Sequence, residues 1–269
     1  MTGSASIGLI AGNGRFPLLV ARAARDEGKK IVAVAHLGET LPELAAEVDA
    51  IHWIRLGELG KMVRIFRNED VTQVIMAGGV DKKKMFSRVR QDLKGLKLLA
   101  RMTQRKDDLM LRTLAEELEK EGLGVLPSTT LLPSLLAPAG ILSRRKPTEE
   151  EEQDIAFGWP LAKELGLLDI GQCLVVRKGA VVAVEAIEGT DAAILRGGQL
   201  AREKAVVIKV SKPTQDLRFD LPAVGETTIQ TMQEVKASVL AIEAQKTLIF
   251  DREATLALAD RYRIAVVSR

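Results

Sequence analysis

The stretch Gly8-Leu9-Ile10-Ala11-Gly12-Asn13-Gly14-Arg15-Phe16-Pro17 decides how the rest of the chain is read. Its apolar start suits a buried strand, and two glycines one residue apart allow a sharp turn. Pro17 then fits the first turn of a helix, where its missing N–H costs nothing. Such a turn brings backbone N–H groups and the positive end of a helix to an anion. Gly12, Asn13, Gly14 and Arg15 are therefore candidate phosphate-binding residues. The pattern stops short of a dinucleotide fingerprint, because Pro17 holds the third small position and the second strand ends in Val34-Ala35-His36 without an acid. Phosphate binding is favoured over a nicotinamide cofactor. The same stretch also reads as a tight turn with no ligand.

Working outward, short apolar runs at 6–11, 31–35, 52–54, 73–77 and 124–126 alternate with helical patterns at 17–27, 59–68 and 107–121. That alternation predicts a Rossmann-like parallel sheet with right-handed crossovers. Between 127 and 147 prolines recur without periodicity, which reads as a crossover between domains. Thr148 and Glu151 then form a capping box at a helix start, and Pro160 should kink or end that helix. Beyond it, strands at 173–176 and 181–186 flank a Lys178-Gly179 hairpin turn. A strand at 205–210, a helix at 228–241, a strand at 247–250, a helix from Arg252 and a strand at 264–267 follow. The chain is thus α/β throughout: a Rossmann-like nucleotide- and phosphate-binding domain over 1–135, and a catalytic α/β domain of mixed sheet over 136–269.

Composition bounds the function. Of 269 residues 46% are hydrophobic and 28% charged, enough for a sizeable core and against disorder. The net charge of +3 and the 3% aromatic share argue against nucleic acid as a partner while suiting an anionic substrate. The densest basic stretch, Lys82-Lys83-Lys84 with Arg88, Arg90, Lys94 and Lys97, reads equally as a phosphate contact and as a solvated face. The lone Cys173 excludes an intrachain disulfide, and its apolar setting makes it a small core residue. With neither a signal peptide nor a membrane-span pattern, a soluble cytoplasmic protein is expected.

Four further constellations could carry chemistry. Gly78-Gly79 ends the fourth strand, on the edge where open α/β sheets hold ligands, and makes Gly79 a candidate contact. Asp107-Asp108, after Lys106, reads best as capping of a helix start. Glu185-Ala186-Ile187-Glu188-Gly189-Thr190-Asp191 leaves an apolar strand with three carboxylates and a hydroxyl. A turn with Thr190 or Asp191 as N-cap explains part of it, but not Glu185, whose unpaired charge would be costly there. Acid work or metal coordination is favoured. Lys209, Lys212, Gln215, Asp216, Arg218 and Asp220 interleave cations and carboxylates, which suits a diphosphate with a divalent ion. His36 and His52 stand alone, which argues against a histidine triad, and His52 is expected to pack.

Taken together, the N-terminal glycine stretch, Lys106-Asp107-Asp108, Asp169-Ile170-Gly171-Gln172, the run Val184 to Asp191, and Arg218-Phe219-Asp220-Leu221-Pro222 resemble the I-type UDP-2,3-diacylglucosamine pyrophosphatases of lipid A synthesis in Gram-negative bacteria. The resemblance implies water attack on the α-phosphorus, giving UMP and 2,3-diacylglucosamine 1-phosphate. It implies Mg²⁺ or Mn²⁺, a homodimer, peripheral contact with the inner membrane, and Asp220 as the essential acid, with Asp216 its rival. On this reading Asp220, Asp191 and Glu188 are catalytic, and Asp220, Asp191 and Glu185 hold the metal. Thr190, Lys209, Lys212, Gln215 and Arg218 join the glycine loops in binding substrate, and the leucine-rich stretch 131–142 offers a groove for acyl chains. The residues by themselves leave room for a nucleotide-sugar-dependent transferase or oxidoreductase, and for a sugar-nucleotide sensor.

Overall fold

The computed structural model describes residues 6–80, 95 and 107–269. The basic stretch from Lys82 to Lys97 and Lys106 lie outside them. Contacts divide the chain into two units: one runs to Pro133 and includes Asp216–Phe219, and the other comprises Ser134–Gln215 and Asp220–Arg269.

In the N-terminal unit β1 (Ile7–Ala11), β2 (Ile31–His36), β3 (Ala50–Ile54), β4 (Gln73–Ala77) and β5 (Gly124–Leu126) form one parallel sheet in the order β3-β2-β1-β4-β5. Side chains of a strand alternate between faces. Leu9 and Ala11 accordingly pack with Val20, Ala21 and Ala24 of α1 (Phe16–Asp26), while Ile10 packs with Met62, Val63 and Phe66 of α2 (Leu59–Asn68) and Leu118 of α3 (Asp107–Lys120). Covering both faces is what lets a parallel sheet be apolar along its whole length. Gly8 has a packing reason, since a Cβ there would lie 2.8 Å from Phe66 and Val74.

The C-terminal unit has a mixed sheet, β6-β13-β11-β9-β7-β8. Its strands are β6 (Gly140–Ile141), β7 (Cys173–Arg177), β8 (Ala180–Val184), β9 (Val206–Lys209), β11 (Val239–Ile242) and β13 (Ala265–Ser268), and β10 (Ala223–Val224) pairs separately with β12 (Leu248–Ile249). β9, β11 and β13 run parallel, with β6 and the β7–β8 hairpin antiparallel to their neighbours. Cys173 and Val175 face α5 (Thr190–Ala201), α6 (Glu226–Glu234) and α7 (Arg252–Arg261), whereas Leu174 and Val176 face α4 (Glu149–Leu167).

Two expectations are corrected. The helix expected over 228–241 ends at Glu234, because Lys236 turns with φ 55° and the apolar run behind it becomes β11, in the middle of the sheet. Pro160 does not end α4, which continues to Leu167 beneath the intact Thr148–Glu151 capping box. The stretch 131–142 divides its apolar residues: Leu131 packs into the N-terminal core and Ala137 and Leu142 into the C-terminal one, while Ile141 is exposed.

Candidate functional site

In the N-terminal unit Gly12, Asn13, Gly14, Arg15 and Gly79 come together where β1 and β4 end. The Asn13 N–H donates to the Gly79 carbonyl at 2.7 Å, and the Gly12 N–H to that of Ala77 at 2.8 Å. A Cβ on Gly12 would stand 2.2 Å from the Gly79 oxygen, and one on Gly78 2.4 Å from that of Asn13. These glycines therefore let two loops touch backbone to backbone. Gly14 differs: its φ is +79° and the space beside it is open. It leads into α1, with Pro17 in the first turn and no acid there to compensate the helix end. Gly14 and Arg15 are the exposed part of the loop, at the helix end whose partial charge is positive.

An acid does follow β2, three residues beyond its end. Buried Glu39 accepts from Asn13 Nδ2 at 3.0 Å. His36 Nδ1 and Thr40 Oγ1 both lie on the Ala11 carbonyl, at 3.0 and 2.6 Å. Burial holds the His36 imidazole below its ordinary pKa, against the opposing pull of the Ala11 carbonyl and Glu39. Glu39 lies a turn beyond β2, so a reading that stops at the end of the strand passes over it as the partner of Asn13. His52, expected to pack, is half-buried on β3 and also pairs with Glu69 at 2.9 Å.

In the C-terminal unit the carboxylates near the end of β8 have separate employments. Buried Glu185 accepts from Thr190 Oγ1 at 2.8 Å and from the Gln172 N–H at 3.2 Å, which answers the question of its unpaired charge. Gly171 makes this junction possible, since a Cβ there would lie 2.0 Å from the Glu185 carbonyl. Glu188 is drawn off by Arg196 at 2.6 Å; its own backbone and that arginine hold its carboxyl below the usual range. The N-cap of α5 is Gly189, at φ 86°, so neither Thr190 nor Asp191 caps, and Asp191 lies exposed in the first turn. Cys173, paired in register with Lys209, is pushed up to about 12 chiefly by burial, as suits a core thiol.

The loop after β9 is split between the units. Lys209, only 7% exposed, donates to the Ala223 carbonyl at 2.8 Å. Lys212 Nζ reaches Asp169 at 2.6 Å, and the Lys212 N–H donates to Gln215 Oε1 at 2.9 Å. Asp216 and Arg218 belong to the N-terminal unit, where the guanidinium is held by Asp216 at 2.8 Å and Glu119 at 2.6 Å. The Arg218 hydrogen bonds keep the Asp216 carboxyl below its ordinary range. Two carboxylates already compensate Arg218, so it fastens this segment to α3. Half-buried Asp220 returns to the C-terminal unit.

Beside these lies a cluster that sequence reasoning missed. Glu243, directly after β11, accepts from Lys163 Nζ at 2.5 Å, Lys246 Nζ at 2.8 Å, and Ser211 Oγ and N–H at 2.7 and 2.9 Å. Despite its burial these partners hold the carboxyl down at about 2. Among the described residues no three His, Cys, Asp or Glu side chains gather closely enough to hold a metal ion, Glu185, Asp191 and Asp220 included.

The chain matches two family models, described as the LpxI N-terminal domain over residues 6–135 and the LpxI C-terminal domain over residues 138–267. It is 34% identical over 265 residues to a Caulobacter vibrioides protein named UDP-2,3-diacylglucosamine pyrophosphatase LpxI, covering 94% of each chain. Among solved structures, an ADP complex of N5-carboxyaminoimidazole ribonucleotide synthetase is 12% identical at a TM-score of 0.31, over 75% of this chain and 45% of the other. The biotin carboxylase domain of Hydrogenobacter thermophilus 2-oxoglutarate carboxylase is 15% identical at 0.28, over 65% and 35%. Likenesses that slight carry no argument.

Proposed function

The chain belongs to the LpxI family, and on that footing we propose that it hydrolyses UDP-2,3-diacylglucosamine to UMP and 2,3-diacylglucosamine 1-phosphate. The observation that carries the reading is the relative's 34% identity along nearly the whole chain. A water oxygen bonds to the α-phosphorus, the bond from that phosphorus to the bridging oxygen breaks, and the sugar phosphate leaves with the electron pair. Such a reaction needs charge stabilisation and an oriented water, and neither histidine nor cysteine. Asp220 orients the water or takes its proton, with Asp191 and Glu188 as supporting carboxylates. The residues taken to contact substrate are Gly12, Asn13, Gly14, Arg15 and Gly79 in the N-terminal unit and Thr190, Lys209, Lys212 and Gln215 in the C-terminal unit. Arg218, already paired, contributes by fixing its segment.

The reading includes Mg²⁺ or Mn²⁺, which when bound neutralises charge on the diphosphate. Mg²⁺ sites commonly use one or two carboxylates with substrate phosphates supplying the rest, and Asp191 and Asp220 fit that donor set. Glu185, occupied by Thr190 and Gln172, fits it less well. The reading also takes in a cytoplasmic homodimer in peripheral contact with the inner membrane, where a diacylated substrate resides. No helix among the described residues is long and apolar enough to cross a membrane.

Turnover in ¹⁸O-labelled water tests the chemistry. Label is expected on UMP; label on the sugar phosphate would mean attack at the β-phosphorus, and no turnover at all would refute the hydrolase. Excess chelator should abolish activity and Mg²⁺ or Mn²⁺ restore it.

A further inference from the structure

We infer that Glu119 of α3 is a positioning residue for the reaction: through Arg218 it anchors the segment that leads into Asp220. The inference rests on the hydrolase reading above and adds to it a residue that holds no role there.

Residues 216–219 are attached to the N-terminal unit in three different ways. The Ser128 N–H donates to the Arg218 carbonyl at 2.6 Å. The Phe219 ring, partly buried, packs against the core that includes Phe66 and Leu118. Arg218 Nη1 donates to Glu119 Oε1 at 2.6 Å, a partner 99 residues away in sequence. The guanidinium also donates to Asp216 through Nε and Nη2, and it lies 5.6 Å from the centre of the Phe219 ring. Asp216 belongs to the same segment, so its bonds stiffen the turn without attaching it. Glu119 does the attaching. α3 is matched in charge to the turn it receives: Arg112, two turns before Glu119 and so on the same helix face, adds to Arg218 in favouring the ionised Asp216.

The chain leaves this anchor at once. Asp220 is the next residue, and only Leu221 separates it from Pro222, which is buried in the C-terminal unit with its carbonyl accepting from the Leu248 N–H at 2.8 Å. The Ala223 carbonyl is held in turn by Lys209 Nζ at 2.8 Å. A residue spans at most ~3.6 Å of chain, and proline restricts the residue before it. With both ends fixed and two residues between them, the direction of the Asp220 carboxylate follows the placement of Arg218 and Phe219. A carboxylate that must orient a water toward a phosphorus loses rate steeply when displaced, while affinity for substrate is set by other contacts.

The test uses the full-length protein and compares Glu119→Ala with Glu121→Ala, which breaks a similar surface pair, to Arg67 at 2.7 Å, in the same unit. Glu119→Ala should lower kcat about tenfold with KM within about twofold. Glu121→Ala should leave kcat within about twofold, the two variants melting at similar temperatures. Introduced into Asp220→Ala, Glu119→Ala should cause no further fall in kcat, because the group it positions is gone. A loss that persists in that background, or a kcat equal to that of Glu121→Ala, overturns the inference. Hydrogen exchange at residues 217–221 reads the anchor without reference to activity. It should quicken at least about threefold in Glu119→Ala and stay as in the wild type in Glu121→Ala. Unchanged exchange in Glu119→Ala also overturns the inference. A wild type that does not turn over UDP-2,3-diacylglucosamine, with the exchange difference intact, refutes the hydrolase reading and leaves the anchor standing.

Discussion

At the scale of single residues, Asp220 and Glu243 make opposite demands on a substitution. Asp220 is half-buried and is followed by Leu221 and Pro222, the proline restricting the backbone that aims it. Asp220→Ala should lower kcat by roughly a hundredfold or more with little change in melting temperature, the signature of a lost base or ligand. Near-normal kcat in a folded variant would move the search to Asp191 and Glu188. Glu243 acts through stability as well. Its partners hold the folded carboxyl down at about 2, below the unfolded value of ~4.3, so its contribution is complete above that value and drains away as pH falls toward 2. Glu243→Gln should therefore lower the melting temperature most at neutral pH, with the gap to wild type closing between about pH 4.3 and 2. A gap that stayed constant with pH would deny that ionisation is what Lys163 and Lys246 stabilise. Residue types with chemical promise were legible in the sequence; their partners were not. Nothing local to Arg218 announces Glu119, and nothing beside Glu185 announces that the Gln172 N–H will meet it.

Elements were legible where their signals are local. The Thr148–Glu151 box, the Lys178-Gly179 turn and the glycine entry to α1 all stand where the sequence puts them. What failed was the end of α6, because its stop is a left-handed lysine, Lys236, where a glycine would have been visible. Gly158 shows how tightly an element can be pinned. A Cβ there would stand 2.4 Å from Ile208 and 2.7 Å from Val176, so α4 rests directly on β7 and β9 at that point. Gly158→Val should destabilise by about 1–3 kcal/mol or more through overpacking, despite the better helix propensity of a side chain over glycine. A denaturant midpoint equal to wild type would mean the helix can lift off without loss.

For the whole molecule, the alternation of strands and helices, the parallel sheet and the mixed second sheet were foreseeable, because buried parallel strands must be apolar throughout and hairpins alternate. The return of Asp216–Phe219 to the N-terminal unit was not, since its bonds to Glu119 and Ser128 reach across almost a hundred residues. A fragment of residues 1–133 should accordingly melt at a lower temperature than the same fragment with a peptide of residues 214–221 added in excess, by mass action on the folded form. No rise with peptide would mean the segment adds nothing. The feature also reaches into biosynthesis. At ~5–20 residues per second, the ribosome takes on the order of several seconds to reach Phe219 after completing Pro133. Through that interval the first unit waits, on the nascent chain, for a clasp that has not yet been translated.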